Sequence, residues 1–283
     1  MIAAIPSPSS GVVNVGPLHI HLYGLTLLVA ILLCVWLTTR RWRAVGGDPD
    51  LVVRVAVWGV AFGVVGARAY HDITSWNEVP SPKWQGIFEV WRGGLGVWGG
   101  ILFGCLAGAF VVHRSGASVR LFMDAVAPGL LLAQGIGRWG NWWNQELYGG
   151  HTTLPWALEI HGKGPAHEYH PTFLYEFTWD VLAVLALLWI DRRFKLRRPA
   201  LFSLYVAFYT AFRTYEETLR IDPPNHFLGQ RINFWVSLVV FVCSVAFFVW
   251  WQFLRKPSSE KPKARPRPVP EGPRMAVPKG RVR

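Results

Sequence analysis

Cysteine and acidic residues are scarce in this chain of 283 residues. Its three cysteines, Cys34, Cys105 and Cys243, show no pairing pattern and no metal-ligand spacing, so we interpret them as apolar packing residues. Asp and Glu together number 17, and none of them are spaced for a two-metal site. No GxSxG elbow, rhomboid-like serine and histidine pair or Walker loop occurs. These absences disfavour metal-dependent phosphotransferases and intramembrane serine proteases, and we expect neither a metal nor a cofactor.

Apolar residues dominate instead, at 52% of the chain with 16 tryptophans and a mean hydropathy of +0.25. This composition is typical of an integral membrane protein. A span needs roughly 20 apolar residues, which predicts an all-α fold of about seven transmembrane helices. The predicted spans are Leu22–Thr39, 52–70, Gly93–Val112, 121–140, 172–190, 199–219 and Ile232–Leu254. Met1–Pro17 has no basic residue before its apolar stretch, so we expect no cleavable signal.

The basic residues predict an orientation in the membrane. They concentrate in the connections 40–43, 113–120 and 192–198 and in the tail 255–283, which marks that side as cytoplasmic. The N-terminus and the longer connections then lie outside. Residues 1–254 form the predicted transmembrane domain, and the proline-rich tail is expected to be disordered. The tail is interpreted as a topology anchor or as a segment attracted to anionic lipid, and nucleic-acid binding is not expected.

Two groups of small residues predict a close helix pair. The third span carries Gly96, Gly100, Gly104 and Gly108 on one face, and the second carries a similar face at Gly59, Gly63 and Ala67. Such faces allow two backbones to approach, although a glycine-lined groove for an acyl chain is an alternative. The segment 142–171 is too polar and too rich in Gly and Pro to span, so it is expected to form a small outer cap.

Polar residues gather at the outer ends of three spans. Arg138 lies in the run GRWGNWWNQELYG at 137–149, where a charged side chain costs roughly 2.5–3.5 kcal/mol on insertion scales. The other outer arginines are Arg68, Arg213 and Arg220. Helical spacing predicts two polar stripes, which are Gln134, Arg138, Asn141 and Gln145 on the fourth span and Tyr209, Arg213, Glu217 and Arg220 on the sixth.

An anion site and a set of structural ion pairs are the two interpretations of these arginines. Carboxylates that would pair with Arg138 or Arg213 are available at Glu146, Glu176 and Asp180. We favour an anion site for Arg138 and Arg213, and structural pairing for Arg68, Arg220 and Asp180. Because the arginine fork matches a phosphate and binds more strongly as negative charge grows, the pattern suits group transfer from a phospholipid.

These residues resemble the signature of the prolipoprotein diacylglyceryl transferase family. The resemblance rests on Gly137, Arg138, Gly140, Asn141, Asn144, Glu146 and Gly149. It continues through GPLHIHLYG at 16–24, GVVGAR at 63–68, WRGGLGVWGG at 91–100, YHPTFLYE at 169–176 and YTAFRTYEETLR at 209–220. Only the tail after about 255 lies outside it.

The resemblance implies that the diacylglyceryl group of phosphatidylglycerol is transferred to the lipobox cysteine thiol in the signal peptide of a preprolipoprotein. A thioether forms and glycerol phosphate is released. The partners would therefore be phosphatidylglycerol, other membrane lipid and the preprotein. Arg138 and Arg213 correspond to essential arginines. The supporting site residues are Tyr23, Asn141, Glu146, Gly149, Tyr209 and Glu217.

One departure concerns the base for the thiol. Members of the family from many bacteria carry a histidine after the paired glycines, whereas this chain has Trp98 in GLGVWGG. Since an indole ring cannot accept a proton, His170 and Glu146 are the alternative bases, or the arginines favour the thiolate directly. His170 is equally well interpreted as a structural hydrogen-bonding residue.

A lipid or anion transporter is the competing function, since converging arginines can mark a conduction path. Two observations oppose it. The inner halves of the helices lack polar residues that would continue a conduction path, and the sequence shows no internal repeat of the kind found in many transporters. A non-catalytic scaffold would leave so many polar groups within spans unexplained.

Overall fold

The protein is represented by a computed structural model that describes residues 4–160, 168–222 and 226–256. The middle of the expected cap, 161–167, and the tail from 257 to 283 lie outside the described residues. In chain order the helices are α1 (Leu22–Ala44), α2 (Pro49–Thr74), α3 (Lys83–Gly86), α4 (Val97–Arg114), α5 (Val119–Gly137), α6 (Trp139–Asn144), α7 (Thr172–Arg193), α8 (Ala200–Leu219) and α9 (Ile232–Val249), which continues into a π-helical turn at Trp250–Leu254. Short strands are β1 (Ile5–Pro6), β2 (Val12–Val15), β3 (Leu18–His21), β4 (Leu158–Glu159), β5 (Glu168–Tyr169), β6 (His226–Phe227) and β7 (Gln230–Arg231).

The fold is that of an all-α, multi-pass membrane protein. Within the described residues six helical segments are long and apolar enough to cross a bilayer, with α5 and α6 forming one of them. These six correspond to six of the seven predicted spans, and the exception is the predicted span 199–219. The helix predicted at 199–219 does form, as α8, but it carries Arg213, Glu216 and Glu217 within 20 residues. These charges make it too polar to count as an apolar span.

Most helix boundaries shift by a few residues from the predicted ones, and two of these differences have a clear cause in the backbone. The third long helix was expected from Gly93 but begins at Val97, because Gly93 and Gly94 take φ angles of +85° and +71° that end any helical path. The fourth breaks after Gly137 and resumes as α6. Gln145 then adopts a left-handed φ of +52° and closes α6.

The glycine faces of α2 and α4 pack against each other, as the sequence predicted. A Cβ at Gly63 would lie 3.5 Å from the carbonyl oxygen of Gly100, and one at Gly104 would lie 3.1 Å from that of Gly59. At Gly66 an added Cβ would come within 2.6 Å of the carbonyl oxygen of Gly99. The two backbones are therefore in direct contact, and these faces serve helix packing.

The remaining long helices form a bundle around one apolar core. Helix α1 packs on α5, α5 on α7, and α8 on both α7 and α9. Leu131, Val184, Leu187 and Leu201 are buried at the centre of this bundle. The cysteines do not contribute to it as expected, since Cys105 and Cys243 are exposed on helix surfaces and only Cys34 is partly buried.

The two ends of the bundle differ in chemistry. At the end that we call the basic end, Arg41 pairs with Asp191 at 3.0 Å and Arg198 pairs with Asp124 at 3.2 Å, which ties α1, α5, α7 and the start of α8 together. At the other end, the cap end, β1 pairs in parallel with β4, and β4 pairs antiparallel with β5. The N-terminal strand thus completes the described part of the cap.

Candidate active site

Arg138 lies at the junction of α5 and α6, at the cap end of the bundle, with its side chain 15% exposed. Its Nη2 atom is 2.7 Å from Oε2 of Glu176 on α7, which is 1% exposed. No hydrogen bond to the Glu176 oxygens forms among the described residues, so this contact is an ion pair without hydrogen-bond alignment. Glu176 therefore balances the charge of Arg138 inside the bundle.

Arg213, on α8, shares carboxylate partners with Arg138. Its Nη1 atom donates to Glu216 at 2.5 Å and lies 3.8 Å from Glu176, and its Nη2 atom donates to Glu217. Glu216 in turn is 3.9 Å from Arg138. The two guanidinium groups are thus adjacent, on either side of Glu176 and Glu216.

Both arginines are thus paired with buried carboxylates, so the ion pairing that the sequence offered as the alternative is present, while anion binding at the same arginines stays a prediction. Removing a carboxylate partner from a buried ion pair typically costs about 3–5 kcal/mol, so the pairing has a clear structural value. A phosphate that binds here has to join this arrangement or displace part of it.

The network continues beyond the helices into residues that the sequence pattern missed. Glu217 accepts from Nε of Arg231 at 2.5 Å, and Asp222 accepts from Arg231 and Arg220 at 2.8 Å each. Although partial burial acts to raise the pKa of Asp222, the hydrogen bonds from Arg220 and Arg231 hold that pKa below its ordinary value. Structural pairing is thereby confirmed for Arg220.

Of the network residues that the sequence pattern missed, only Glu216 could have been found from its spacing. Glu216 follows Arg213 by three positions on the same helix, a spacing that favours contact. Arg231 and Asp222 come together only because the chain folds back through β6 and β7 before α9. No periodic pattern records that return.

Arg68 belongs to a different contact. It donates to the carbonyl oxygens of Ile87, Gly86, Gly93 and Gly94, and it pairs with Asp72 at 3.2 Å. These bonds fasten the connection between α2 and α4 to α2. The structural interpretation is confirmed for Arg68, which makes no contact with the Arg138 network among its described partners.

Tyr23, Asn141 and Glu146 surround the exposed side of Arg138. The Nη1 atom of Arg138 donates weakly to Oδ1 of Asn141 at 3.4 Å, and Nδ2 of Asn141 donates to Oε1 of Glu146 at 3.0 Å. The ring of Tyr23 packs against Gly140, where a side chain would collide with it, and its hydroxyl interacts electrostatically with Glu146 and Arg138. Glu146 is exposed, so its carboxylate faces the space outside the bundle.

Tyr209 lies one turn before Arg213 on α8 and is partly buried. It interacts electrostatically with Arg138, Arg213, Glu176 and Glu216. The predicted stripe on α8 is therefore present, and Glu216 adds to it.

Gly149 and His170 contact each other through their backbones. The amide of Gly149 donates to the carbonyl oxygen of His170 at 2.9 Å, and that of Gly150 donates to Leu219 at 2.9 Å. A Cβ at Gly149 would lie 2.7 Å from the Cβ of His170, so only glycine fits between these chains. Gly149 thus seats the segment after α6 on the end of α8.

The described side-chain contact of His170 is with Tyr175 on α7. Its Nδ1 atom is 3.2 Å from the hydroxyl of Tyr175, which also accepts from Nε1 of Trp156 at 3.1 Å. These contacts support the structural interpretation of His170 and leave the role of a base untested. Gln145 has left the stripe expected for it, since it donates to the carbonyl oxygen of Pro8 at 2.5 Å.

Asp180 is the exception to the expected pairing. It is fully buried between α5 and α7, and neither carboxylate oxygen has a hydrogen-bond partner among the described residues. Gly135 faces it, with a Cβ there 3.4 Å from Oδ2 of Asp180. The structural pairing expected for Asp180, one turn below Glu176, is therefore not seen among the described residues, and Arg138 interacts with it only electrostatically.

Trp98 lies near the start of α4 and is 51% exposed. Its indole supplies no base. Among the described residues of the site, Glu146 is the acid that is both exposed and connected to Arg138, through Asn141.

The arrangement can bind a phosphate and stabilise negative charge on it. Two arginines present their guanidinium groups side by side, each 14–15% exposed, while buried carboxylates hold them in place. Preorganised donors of this type act most strongly where charge develops in a transition state.

Comparisons with known proteins match this site and its scaffold. The family model described as prolipoprotein diacylglyceryl transferase matches residues 10–250. A phosphatidylglycerol–prolipoprotein diacylglyceryl transferase of Streptomyces griseus is 47% identical over 253 residues, covering 88% of this chain and 78% of the relative. Similar relatives are one of Streptomyces coelicolor, 46% identical with 88% and 74% covered, and one of Frankia alni, 48% identical with 87% and 67% covered.

The family model spans most of the chain, and the relatives are similar over nearly all of the described residues, including every element that carries the Arg138 network. The chain therefore belongs to the prolipoprotein diacylglyceryl transferase family.

Proposed function

We propose that this enzyme transfers the diacylglyceryl group of phosphatidylglycerol to the cysteine thiol of a preprolipoprotein lipobox. Membership of the family and the names of its relatives support this reaction, which is the first step of lipoprotein maturation. The observation that carries the proposal is the adjacency of Arg138 and Arg213, which come from different helices and share Glu176 and Glu216.

In the proposed reaction the enzyme supplies no nucleophile. The sulfur of the substrate cysteine attacks the carbon of the diacylglyceryl group that is bonded to the phosphate oxygen. An S–C bond forms, and the bond between that carbon and the phosphate oxygen breaks. The electron pair of that bond leaves with glycerol phosphate. Arg138 and Arg213 hold the phosphate and stabilise the charge that it gains as it departs.

The thiol proton has a destination within the reaction itself. Glycerol phosphate leaves as a phosphate monoester, whose second pKa is about 6, so it can accept a proton near neutral pH. The released phosphate can therefore take up the thiol proton, and no base is needed at the position of Trp98. In this scheme Glu146, Asn141 and Tyr23 position the headgroup beside Arg138.

We also propose that the cap end faces outward, with the N-terminus outside and the C-terminus in the cytoplasm. The clustering of basic residues at the opposite end supports this orientation. An exported preprotein would then present its lipobox cysteine and signal peptide on the side where Arg138 lies.

The experiment uses the purified chain, vesicles with phosphatidylglycerol labelled in its acyl chains, and a lipobox peptide. Transfer predicts a thioether-linked labelled peptide together with glycerol phosphate. Arg138→Ala and Arg213→Ala are each expected to lower the rate by at least about 100-fold, because each removes a charge-stabilising donor.

Arg92→Ala is the matched control, since Arg92 is 58% exposed and pairs only with Glu89 among its described contacts. Its rate should remain near that of the parent chain. Labelled lipid that crosses the vesicle without reaching the peptide would indicate a transporter instead. Full activity of a folded Arg138→Ala or Arg213→Ala protein would exclude the proposed roles of these arginines.

A further inference from the structure

A groove of about 660 Å³ runs between α2 and α4, separate from the Arg138 network. Its walls include Trp58 and Phe62 from α2 and Phe103 and Phe110 from α4, and Arg54 and Arg114 also line it. Arg54 precedes Arg68 by 14 residues on α2, which is about 21 Å along a helix at 1.5 Å per residue. The groove is therefore toward the basic end of these helices.

The walls of the groove are apolar and open. Trp58 is 50% exposed, Phe62 is 44% exposed and Phe110 is 64% exposed. All three side chains belong to candidate membrane spans, so the surroundings that they face are lipid. A concave, aromatic-lined surface in that position fits a single acyl chain.

Two cations lie in the same groove without strong partners. Arg54 is 55% exposed, and its ion pair in the described part of the chain is a 3.6 Å contact with Asp48, which is itself 58% exposed. Arg114 is exposed at the end of α4 and forms no ion pair among the described residues. A Cβ at Gly108 would lie 3.3 Å from Cγ1 of Val55, so Val55 and its neighbour Arg54 lie beside the last two turns of α4.

Charge complementarity therefore identifies the occupant. Two arginines at one end of an apolar groove repel each other and attract a negative charge, and a lipid phosphate supplies that charge at this depth. We propose that the groove binds an anionic phospholipid, with an acyl chain against Trp58, Phe62 and Phe110 and the headgroup phosphate at Arg54 and Arg114. This site is separate from the substrate site and does not rest on the proposed reaction.

The test uses the full chain in vesicles that contain a trace of phosphatidylglycerol with a photoreactive acyl chain. A parallel set contains the matching phosphatidylcholine probe, which carries no net charge. After irradiation, labelled peptides are mapped by mass spectrometry, so that labelling of 54–62 and 103–114 is counted apart from labelling near Arg138. The double variant Arg54→Gln/Arg114→Gln is compared with Arg40→Gln/Arg43→Gln, in which two exposed arginines near the end of α1 are neutralised.

In the parent chain the anionic probe should label the groove peptides several times more than the neutral probe. In the Arg54→Gln/Arg114→Gln variant that labelling should fall roughly thirtyfold, as expected when two basic residues near a lipid surface are removed. The Arg40→Gln/Arg43→Gln variant should keep it. Equal labelling by both probes, or equal losses in both double variants, would overturn the proposal.

Transferase activity is measured on the same samples, so that the lipid site between α2 and α4 and the proposed transfer reaction are tested independently. The Arg54→Gln/Arg114→Gln variant is expected to keep the folded bundle and its labelling near Arg138. Loss of groove labelling with those signals intact supports the lipid site. Retention of groove labelling in that variant rejects the site whatever the enzyme does.

Discussion

At the scale of single residues, the charge balance around Arg138 is the main finding. The insertion cost of an arginine within a membrane span is met here by Glu176 and Glu216, which are each 1% exposed. The same carboxylates hold Arg213, so one pair of acids positions both arginines. The charge of Arg138 is therefore balanced within the bundle rather than by solvent.

This balance predicts that Glu176→Gln destabilises the protein. The amide has nearly the same shape as the carboxylate but cannot compensate the charge of Arg138, so we expect a loss of about 3–5 kcal/mol in the free energy of unfolding. Thermal unfolding in detergent measures it. Asn144→Ala, which alters an exposed residue of the same region, provides the comparison. An unfolding midpoint unchanged in Glu176→Gln would mean that Glu176 is already neutral.

Trp98 allows a second prediction at this scale. If the residue acts through packing or lipid fit, Trp98→Ala lowers the transfer rate while the pH at half-maximal rate stays the same. Rates measured across the pH range in the parent chain and in the variant separate the two roles. A shift of the pH profile on substitution would show that the region of Trp98 does control a proton transfer.

At the scale of elements, the packing of α2 on α4 depends on missing side chains. The backbones touch along Gly59, Gly63 and Gly66 on one helix and Gly99, Gly100 and Gly104 on the other. This close pair carries Arg68 at its cap end and the proposed lipid groove toward its basic end. A substitution that separates α2 from α4 would therefore affect both the contacts of Arg68 and the proposed lipid groove.

Gly66→Ala is expected to destabilise this pair by about 1–3 kcal/mol, because the added methyl group meets the carbonyl oxygen of Gly99 and the side chain of Phe103. Gly24→Ala is the matched control, since a Cβ at Gly24 in α1 has nothing within 4 Å. Both changes raise helix propensity by up to about 1 kcal/mol, so the control should be neutral or stabilising. Unfolding midpoints of the two variants in the same detergent make the comparison. Equal midpoints would show that the pair adjusts to the methyl group at no cost.

At the scale of the whole molecule, the two ends of the bundle have different chemistry. The cap end carries the Arg138 network and the strand pairs, while the basic end is closed by the ion pairs of Arg41 and Arg198. The proposed reaction on an exported preprotein would require this polarity. The orientation in the membrane is the property that links it to function.

Cysteine labelling checks the orientation. In a background in which Cys34, Cys105 and Cys243 are replaced by alanine, Ser10→Cys should react with a membrane-impermeant maleimide in intact cells. Ser115→Cys, at the other end of the bundle, should react only after the membrane is opened. Both serines are exposed, so access to the reagent rather than burial determines the result. The reverse pattern would invert the proposed topology.

The sequence by itself determined the class of fold, the close α2 and α4 pair and the membership of Arg138, Arg213, Asn141, Tyr209 and Glu217 in one polar region. These features depend on composition and on helical spacing, which are local properties of the chain. It did not determine the ion partners of the arginines, since Glu176 and Arg138 are 38 positions apart and meet only when α5 packs on α7.

Tertiary structure alone decided three further points. It brought Arg231 and Asp222 into the network through the return of the chain before α9. It showed Asp180 without a hydrogen-bond partner in the described part of the protein, although structural pairing had been expected for it. It also made α8 the polar member of the bundle, because the helix that carries Arg213, Glu216 and Glu217 is protected by its neighbours rather than by its own apolarity. Charge compensation between helices is a property of packing, and no local pattern encodes it.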